Sequence, residues 1–285
     1  MLGEGAFGKI WGVVTVDTTE TADETHSHVM KLLSLARLDH KQLWQVKNEM
    51  ALHGDSRISH PYIVAHKASY QSNKMGAIVM ERCDTTLHHV MASEQQRGVL
   101  LPEGWIMSWI AQLTLAINHL HRNNVLHLDL KPANVFLKVC PQATPEAAPF
   151  EVRLGDFGLA RTTVDVKRME ASNAGMFEGT PMFAAPETIK DESPDFKTDV
   201  WAVGVILYCL CSYQAPFGIL RDWKRDFATL RQKILTSQPP PLPKVYSKGL
   251  NNLLAKLLAK NRKYRPLTGD VLRTPIVQKY LPSPR

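Results

Sequence analysis

His127-Leu128-Asp129-Leu130-Lys131-Pro132-Ala133-Asn134 sets a carboxylate, an ammonium and an amide close together, and a second carboxylate follows in Asp156-Phe157-Gly158, 22 residues after Asn134. Two carboxylates, an amide and an ammonium are the groups needed to hold a divalent cation on phosphate oxygens while a hydroxyl is aimed at the terminal phosphorus. Far upstream, Gly3-Glu4-Gly5-Ala6-Phe7-Gly8 spaces its glycines so that the backbone can turn and its amides can donate to anionic oxygens. In a dinucleotide-binding unit such a stretch leads into a helix. Here it leads into Ile10-Trp11-Gly12-Val13-Val14-Thr15-Val16, which is β-rich, so a hairpin is expected.

In this order the stretches resemble the protein kinase family. The loop matches H-R-D-L-x-x-x-N, with Leu128 where the family has Arg, and Asp156-Phe157-Gly158 matches D-F-G. Leu2 to Ile10 fits the glycine-rich lid with Ile10 in place of Val, and His28-Val29-Met30-Lys31 stands where the family has V-A-I-K. Gly179-Thr180-Pro181-Met182-Phe183-Ala184-Ala185-Pro186-Glu187 is close to G-T-P-x-Y-M-A-P-E, and Asp199 to Gly204 fits D-x-W-x-x-G. The resemblance implies an α+β, two-lobed protein kinase fold in one domain over 1–285. A small β-rich N-lobe with one main helix takes 1–81, and a larger, mostly helical C-lobe takes 82–285. The chain begins at the lid, so the start of the first strand is expected to be missing. The D-L-K-P-x-N form points to the serine/threonine type, and Asn134-Val135-Phe136-Leu137 is faintly similar to the NIMA-related kinases.

The roles follow from the resemblance, residue by residue. Asp129 accepts or orients the proton of the substrate hydroxyl, Lys131 approaches the γ-phosphate, and Asn134 and Asp156 bind Mg²⁺. Asp129, Lys131 and Asn134 form the catalytic set, and Thr180 bridges Asp129 and Lys131. Lys31 holds the α and β phosphates, paired with Glu49. Gly3, Gly5 and Gly8 line the phosphates, while Leu2 and Ile10 lie above and beside the adenine. Met80 guards the back of the nucleotide pocket, and main-chain groups of Glu81 and Cys83 bond the adenine edge. ATP is the implied co-substrate and a protein with a serine or threonine acceptor the partner. Two readings stand beside the enzyme. A pseudokinase-like scaffold draws support from Leu128 and the short lid, and a nucleic-acid binder rests on charge alone, with salt-dependent binding as its mark.

Leu128 cannot donate to a phosphate, and Met176 occupies the place, three residues before Gly179, where a phosphorylated Thr often stands in the NIMA-related kinases. Thr162, Thr163 and Ser172 are further upstream without an obvious arginine partner. Activity is therefore expected not to depend on phosphorylation of this segment, which is held by contacts around Phe177 and Phe183 or by a partner protein.

The elements that must carry these residues are legible in the periodicity. Leu38 to His53 repeats apolar residues at helical spacing and carries Glu49, and Trp105 to His121 is a stronger amphipathic helix leading into the loop at Asp129. Lys74 to Met80 reads as a strand. Val135–Lys138 and Glu151–Leu154 read as strands flanking a loop with three prolines between 140 and 149, and Leu250–Lys260 and Val271–Leu281 as closing helices. Pro239 to Pro243 reads as a stiff loop between helices, and Glu187 with Arg265 as a structural ion pair implied by the resemblance. His119, His121 and His127 fall on different faces and are not read as a metal cluster.

Composition narrows the partners. The 285 residues are 44% hydrophobic with 34 Lys and Arg against 27 Asp and Glu, a net charge of +7. These basic residues are scattered, so no nucleic-acid partner is expected. Cys83, Cys140, Cys209 and Cys211 are too few and too irregular for a disulfide framework, and Cys209 and Cys211 point about 200° apart on a helix. The longest apolar run, Val200 to Cys211, is too short to span a bilayer, and the first residues carry no secretory leader. A cytoplasmic protein is expected.

Overall fold

The structure, a computed structural model, describes residues 3–5, 8–13, 28–36, 38–140, 148–171, 178–218 and 223–282. Leu2, Met176, Phe177 and Ser172 lie outside them, as does most of the proline-bearing loop after Cys140.

The N-terminal part is one antiparallel sheet. Strands β1 (Gly3–Gly5), β2 (Gly8–Val13), β3 (His28–Ser34), β4 (His66–Gln71) and β5 (Met75–Glu81) take the order β1-β2-β3-β5-β4. The expected glycine-rich hairpin is the β1–β2 pair, and its register runs Gly3 to Ile10, Ile10 to Lys31 and Lys31 to Ile78 across the sheet. One helix, α1 (His40–Gly54), packs here. Asp39 caps it, accepting from the Gln42 backbone while the Gln42 side chain accepts from the Asp39 N–H, a reciprocal box that satisfies two otherwise orphaned donors. Among the described residues the core between sheet and helix is Leu33, Val46 and Ile78, with Leu35, Leu38, Met50 and Met80 packed around them.

The C-terminal part is mostly helical. After β6 (Thr85–Thr86) and α2 (Leu87–Gln96) comes α3 (Glu103–Arg122), whose apolar face, from Ile106 through Trp109, Ile110, Leu113 and Ile117 to Leu120, is completely buried. Strand β7 (Val125–Leu126) then leads into the Asp129 loop, β8 (Val135–Val139) pairs with β9 (Phe150–Leu154), and β10 (Arg161–Thr162) returns to pair with β7. Helices α4 (Thr163–Ala171), α5 (Pro186–Ile189), α6 (Phe196–Ser212), α7 (Trp223–Thr236) and α8 (Lys248–Leu257) follow. Helix α6 is buried along nearly its whole length, as expected of the most apolar segment. A Cβ on Gly204 would come within 2.8 Å of Leu257, so α6 and α8 can cross this closely only over a glycine.

One expectation about elements needs correction, and one element had no reading in the sequence. The single closing helix read over 271–281 is two short ones, α9 (Thr268–Leu272) and α10 (Pro275–Gln278). Pro275 has no N–H to continue α9, and its ring suits the first position of a new helix, so it starts α10. The polar segment after Gly158 contains helix α4, where Thr162 accepts from the Asp165 backbone at the start and Val166 alone turns fully inward. With so little apolar surface, its helical period was too faint to read. The 239–243 prolines do lie in a connection between helices, α7 and α8.

Candidate active site

The loop at Asp129 is fixed from beneath by Asp199, near the start of α6. This carboxylate is completely enclosed and accepts from the backbone N–H of His127 and of Leu128 and from the His121 ring, each at 2.9 Å. Burial would push Asp199 up, but the His121 ring and the His127 charge and amide outweigh it and hold the carboxyl below its ordinary range. Leu128 takes a left-handed backbone (φ 63°), costly for a branched side chain, and its bond to Asp199 is part of what holds it there. Leu128 is half-buried and lines a cavity with Leu159, Val166, Met169 and Phe183 as well as Arg161 and Glu178.

Asp129 gathers the expected neighbours. Lys131 Nζ lies 2.5 Å from Oδ2, Thr180 Oγ1 donates to Oδ1 at 3.0 Å, and Asn134 Nδ2 donates to Oδ2 at 3.1 Å and to the Asp129 carbonyl at 2.8 Å. Lys131 also donates to Thr180 Oγ1 at 3.2 Å, so Thr180 does bridge Asp129 and Lys131. Gly179, just before it, has φ 104°, and its ideal Cβ position lies 3.1 Å from the Leu128 carbonyl oxygen. Only glycine fits that turn against the loop.

The N-terminal part brings the second group. Lys31 Nζ sits 2.6 Å from Glu49 Oε1 and 3.6 Å from Asp156 Oδ1. Burial pulls Lys31 down, yet the Glu49 and Asp156 carboxylates together hold it above its ordinary value. Glu49 is pushed up, by burial and then by Asp156, with Lys31 opposing. Asp156 is lowered because Lys31, His127 and Lys131 outweigh its burial. Like Leu128, Asp156 is left-handed (φ 63°), a conformation aspartate tolerates better than most residues.

The remaining predicted residues are placed as follows. Gly3, Gly5, Gly8 and Ile10 lie in the hairpin strands, beside the strand of Lys31. Met80 and Glu81 end β5, and Cys83 follows in the connection to the C-terminal part. Cys83 is half-buried, and burial raises its thiol to about 12, which keeps it protonated. The Glu81 side chain is tied down: it accepts from the Ala65 amide at 2.8 Å and from Lys138 at 3.0 Å, and meets Arg153 at 3.3 Å. His119, His121 and His127 have separate partners, the Arg57 carbonyl, Asp199 and the Gly155 carbonyl.

Several positioning contacts escaped the sequence reading. Asn48 on α1 donates to the Ala160 carbonyl at 2.8 Å, and buried His53, one turn beyond Glu49, meets the Phe157 ring edge-on at 5.0 Å. Arg161 is the arginine that seemed absent beside Thr162 and Thr163, and its guanidinium is taken up by Glu178 at 2.5 Å. Phe183 does pack against the C-terminal core.

Comparison with known proteins agrees with this geometry. The family model described as "Protein kinase domain" matches residues 1–277. The chain is similar to the serine/threonine-protein kinase Nek1 of Mus musculus, 32% identical over 98% of this chain and 21% of that protein. It is also similar to Nek3 of Mus musculus (33% identical, 99% of this chain, 50% of that protein) and to Nek7 of Arabidopsis thaliana (33%, 90% and 42%). The chain thus spans between about a fifth and half the length of these relatives.

Proposed function

The chain belongs to the protein kinase family, and we propose that it transfers the γ-phosphate of ATP to serine or threonine hydroxyls of protein substrates. The observation that carries this reading is the cluster at Asp129, where one carboxylate is held by Lys131, Thr180 and Asn134. On the proposed mechanism, Asp129 receives the acceptor hydroxyl and orients it or takes its proton as the oxygen attacks phosphorus. Lys131 meets the charge on the γ-phosphate. Lys31, steadied by Glu49, holds the α and β phosphates in line. The glycine hairpin covers the phosphates with backbone amides, Leu2 and Ile10 enclose the adenine, Met80 backs its pocket, and main-chain groups of Glu81 and Cys83 bond its edge.

The residues present fit a magnesium ion. Asn134 spends its Nδ2 on Asp129, and among the described residues none donates to its Oδ1, so an amide oxygen is left to face a cation. Asp156 has its carboxyl lowered, the state a hard cation needs. Asn134 and Asp156 would hold Mg²⁺, which when bound neutralises charge on the phosphate oxygens.

Among the described residues no helix is long and apolar enough to cross a membrane. The four cysteines are free, which supports a reducing compartment, and we place the protein in the cytoplasm. The deciding test is phosphotransfer from radiolabelled ATP, with Mg²⁺, to a general serine- and threonine-bearing protein acceptor. Transfer that Asp129→Asn removes is the expected result; nucleotide binding with no transfer from the unmodified chain to any acceptor would leave the scaffold reading in its place.

A further inference from the structure

Glu178 stands immediately before Gly179 and Thr180, and its two carboxylate oxygens go to two different segments. Oε2 accepts from Arg161 at 2.5 Å, and Oε1 lies 2.8 Å from Lys41 Nζ. Arg161 follows Asp156-Phe157-Gly158 by three residues, and Lys41 lies in the first turn of α1, the helix that carries Glu49. The Arg161 side chain is only 5% exposed, its guanidinium stacks 3.8 Å from the centre of the Trp44 ring on α1, and it also donates to the Ala160 carbonyl. The backbone of Arg161 is in turn fixed by pairing with Leu126 of β7, the strand that leads into the Asp129 loop. One carboxylate therefore joins three pieces of the site: the helix behind Lys31, the segment behind Asp156, and the turn that presents Thr180 to Asp129.

The chemistry of this junction is a charged one. A guanidinium that is buried and stacked on an indole needs an anion at close range, and Glu178 is the anion the structure gives it. Leu128 donates from its backbone to Asp199 and contributes only apolar surface nearby. The turn at Gly179 and Thr180 is thus tethered by a charge that belongs to the polypeptide itself.

We propose that Glu178 is a positioning residue, whose carboxylate between Arg161 and Lys41 fixes the Gly179-Thr180 turn against Asp129 and couples it to helix α1 with no added phosphate. This rests on the phosphotransfer reading above for its catalytic consequence, and on the geometry alone for the tether. The two legs are unequal. Lys41 is 63% exposed, so its leg is screened by water, while the Arg161 leg is enclosed.

The test compares the unmodified chain with Glu178→Gln, Glu178→Asp and Lys41→Ala by two readouts. Hydrogen exchange should quicken at least about tenfold at residues 178–184 in Glu178→Gln, with helix α6 unchanged as a check that the protein is folded. The kcat should fall at least about tenfold with the KM for ATP unchanged, Glu178→Asp should recover a large part of it, and Lys41→Ala should stay within about twofold. Phosphatase treatment should leave the kcat of the unmodified chain within about twofold. Unaltered exchange in Glu178→Gln, or unaltered kcat in a folded variant, overturns the proposal, as does a large fall after phosphatase treatment. Should the unmodified chain transfer no phosphate, the functional reading fails, and the exchange measurement still decides the tether.

Discussion

On the helical side of the site, Asp199 and the Glu187–Arg265 pair are enclosed by a continuous apolar core that runs from Leu52 through Ile117 and Trp201 to Val277. On the sheet side, the described core is Leu33, Val46 and Ile78. The proposed chemistry is divided between them: Asp129, Lys131 and Asn134 stand on the first, Lys31 and Glu49 on the second. The helical side can hold a catalytic loop by burying the groups beneath it, because so much apolar contact surrounds them. The sheet side shows less core among the described residues, and α1, besides lending Leu52 to the larger core, is tied across to the other half by Asn48 to Ala160, His53 to Phe157, Trp44 to Arg161 and Lys41 to Glu178. Packing dominates in the first half and individual contacts join α1 to it, so damage to the two should show up in different measurements.

The sharpest separation of rate from stability should come from Asp129→Asn. The change keeps size and shape, and Thr180 and Asn134 can still bond the amide, while the proton acceptor is gone. Phosphotransfer should fall by about 10³-fold or more, with nucleotide affinity and melting temperature nearly unchanged. Loss of nucleotide affinity in proportion to rate would contradict the assigned role.

Stability without direct chemistry is the expected signature of Arg265→Ala. Arg265 bonds Glu187 and the Lys197 carbonyl, and Glu187 also accepts from Thr198 at 3.0 Å, all inside the helical core. Removing the guanidinium strands a buried carboxylate, at a cost of about 3 kcal/mol or more. Thermal unfolding that does not change would show that this core does not depend on the pair.

His53 gives a pH-dependent test of the sheet side. Burial, then the charges of Lys31 and His66, lower it from the ordinary 6.5 to about 3, with Asp156 opposing and His127 adding a little. The unfolded chain binds a proton below pH 6.5 that the folded chain refuses down to about 3. Stability from this residue is thus complete above 6.5 and is lost as the pH falls through that interval. Between pH 7 and 5 the loss is about 2 kcal/mol, and His53→Leu should remove that part of the slope. Denaturant titrations at both pH values on both proteins check it, and equal slopes would refute the assignment.

Much of this division was legible in the sequence. The residues that meet at Asp129 lie in short stretches where type and spacing are both informative, and α3 and α6 show their burial in apolar patterning. The cross-links were not legible. Asn48 and Phe157 are 109 residues apart, Lys41 and Glu178 farther still, and nothing local marks a polar residue on one helix face as facing a distant turn. Arg161 was overlooked because its value comes from Trp44 and Glu178 and not from its neighbours in sequence. Asp199 was matched to a motif, yet its work of holding the His127 and Leu128 amides follows only from the fold.

The smallest expected effect tests the comparison most closely, because it concerns an ion pair that is as short as many in the core yet sits in the weaker half. Lys31→Met keeps most of the unbranched stem of the side chain and removes its charge. On the proposed mechanism, the α and β phosphates then lose their anchor and the rate should fall at least about tenfold, equivalent to about 1.4 kcal/mol of barrier. Stability should move little. Burial and Asp156 already push the Glu49 carboxyl up, so when Lys31 is lost Glu49 can take a proton instead of remaining as a stranded charge. The Lys31 side chain, 17% exposed, also lies nearer water than Arg265, which is fully enclosed. Paired measurements of rate and melting temperature on Lys31→Met and Arg265→Ala decide the matter. If Lys31→Met lowers the melting temperature as far as Arg265→Ala does, the pair is a structural element of the sheet side, and the division between packed and cross-linked halves fails.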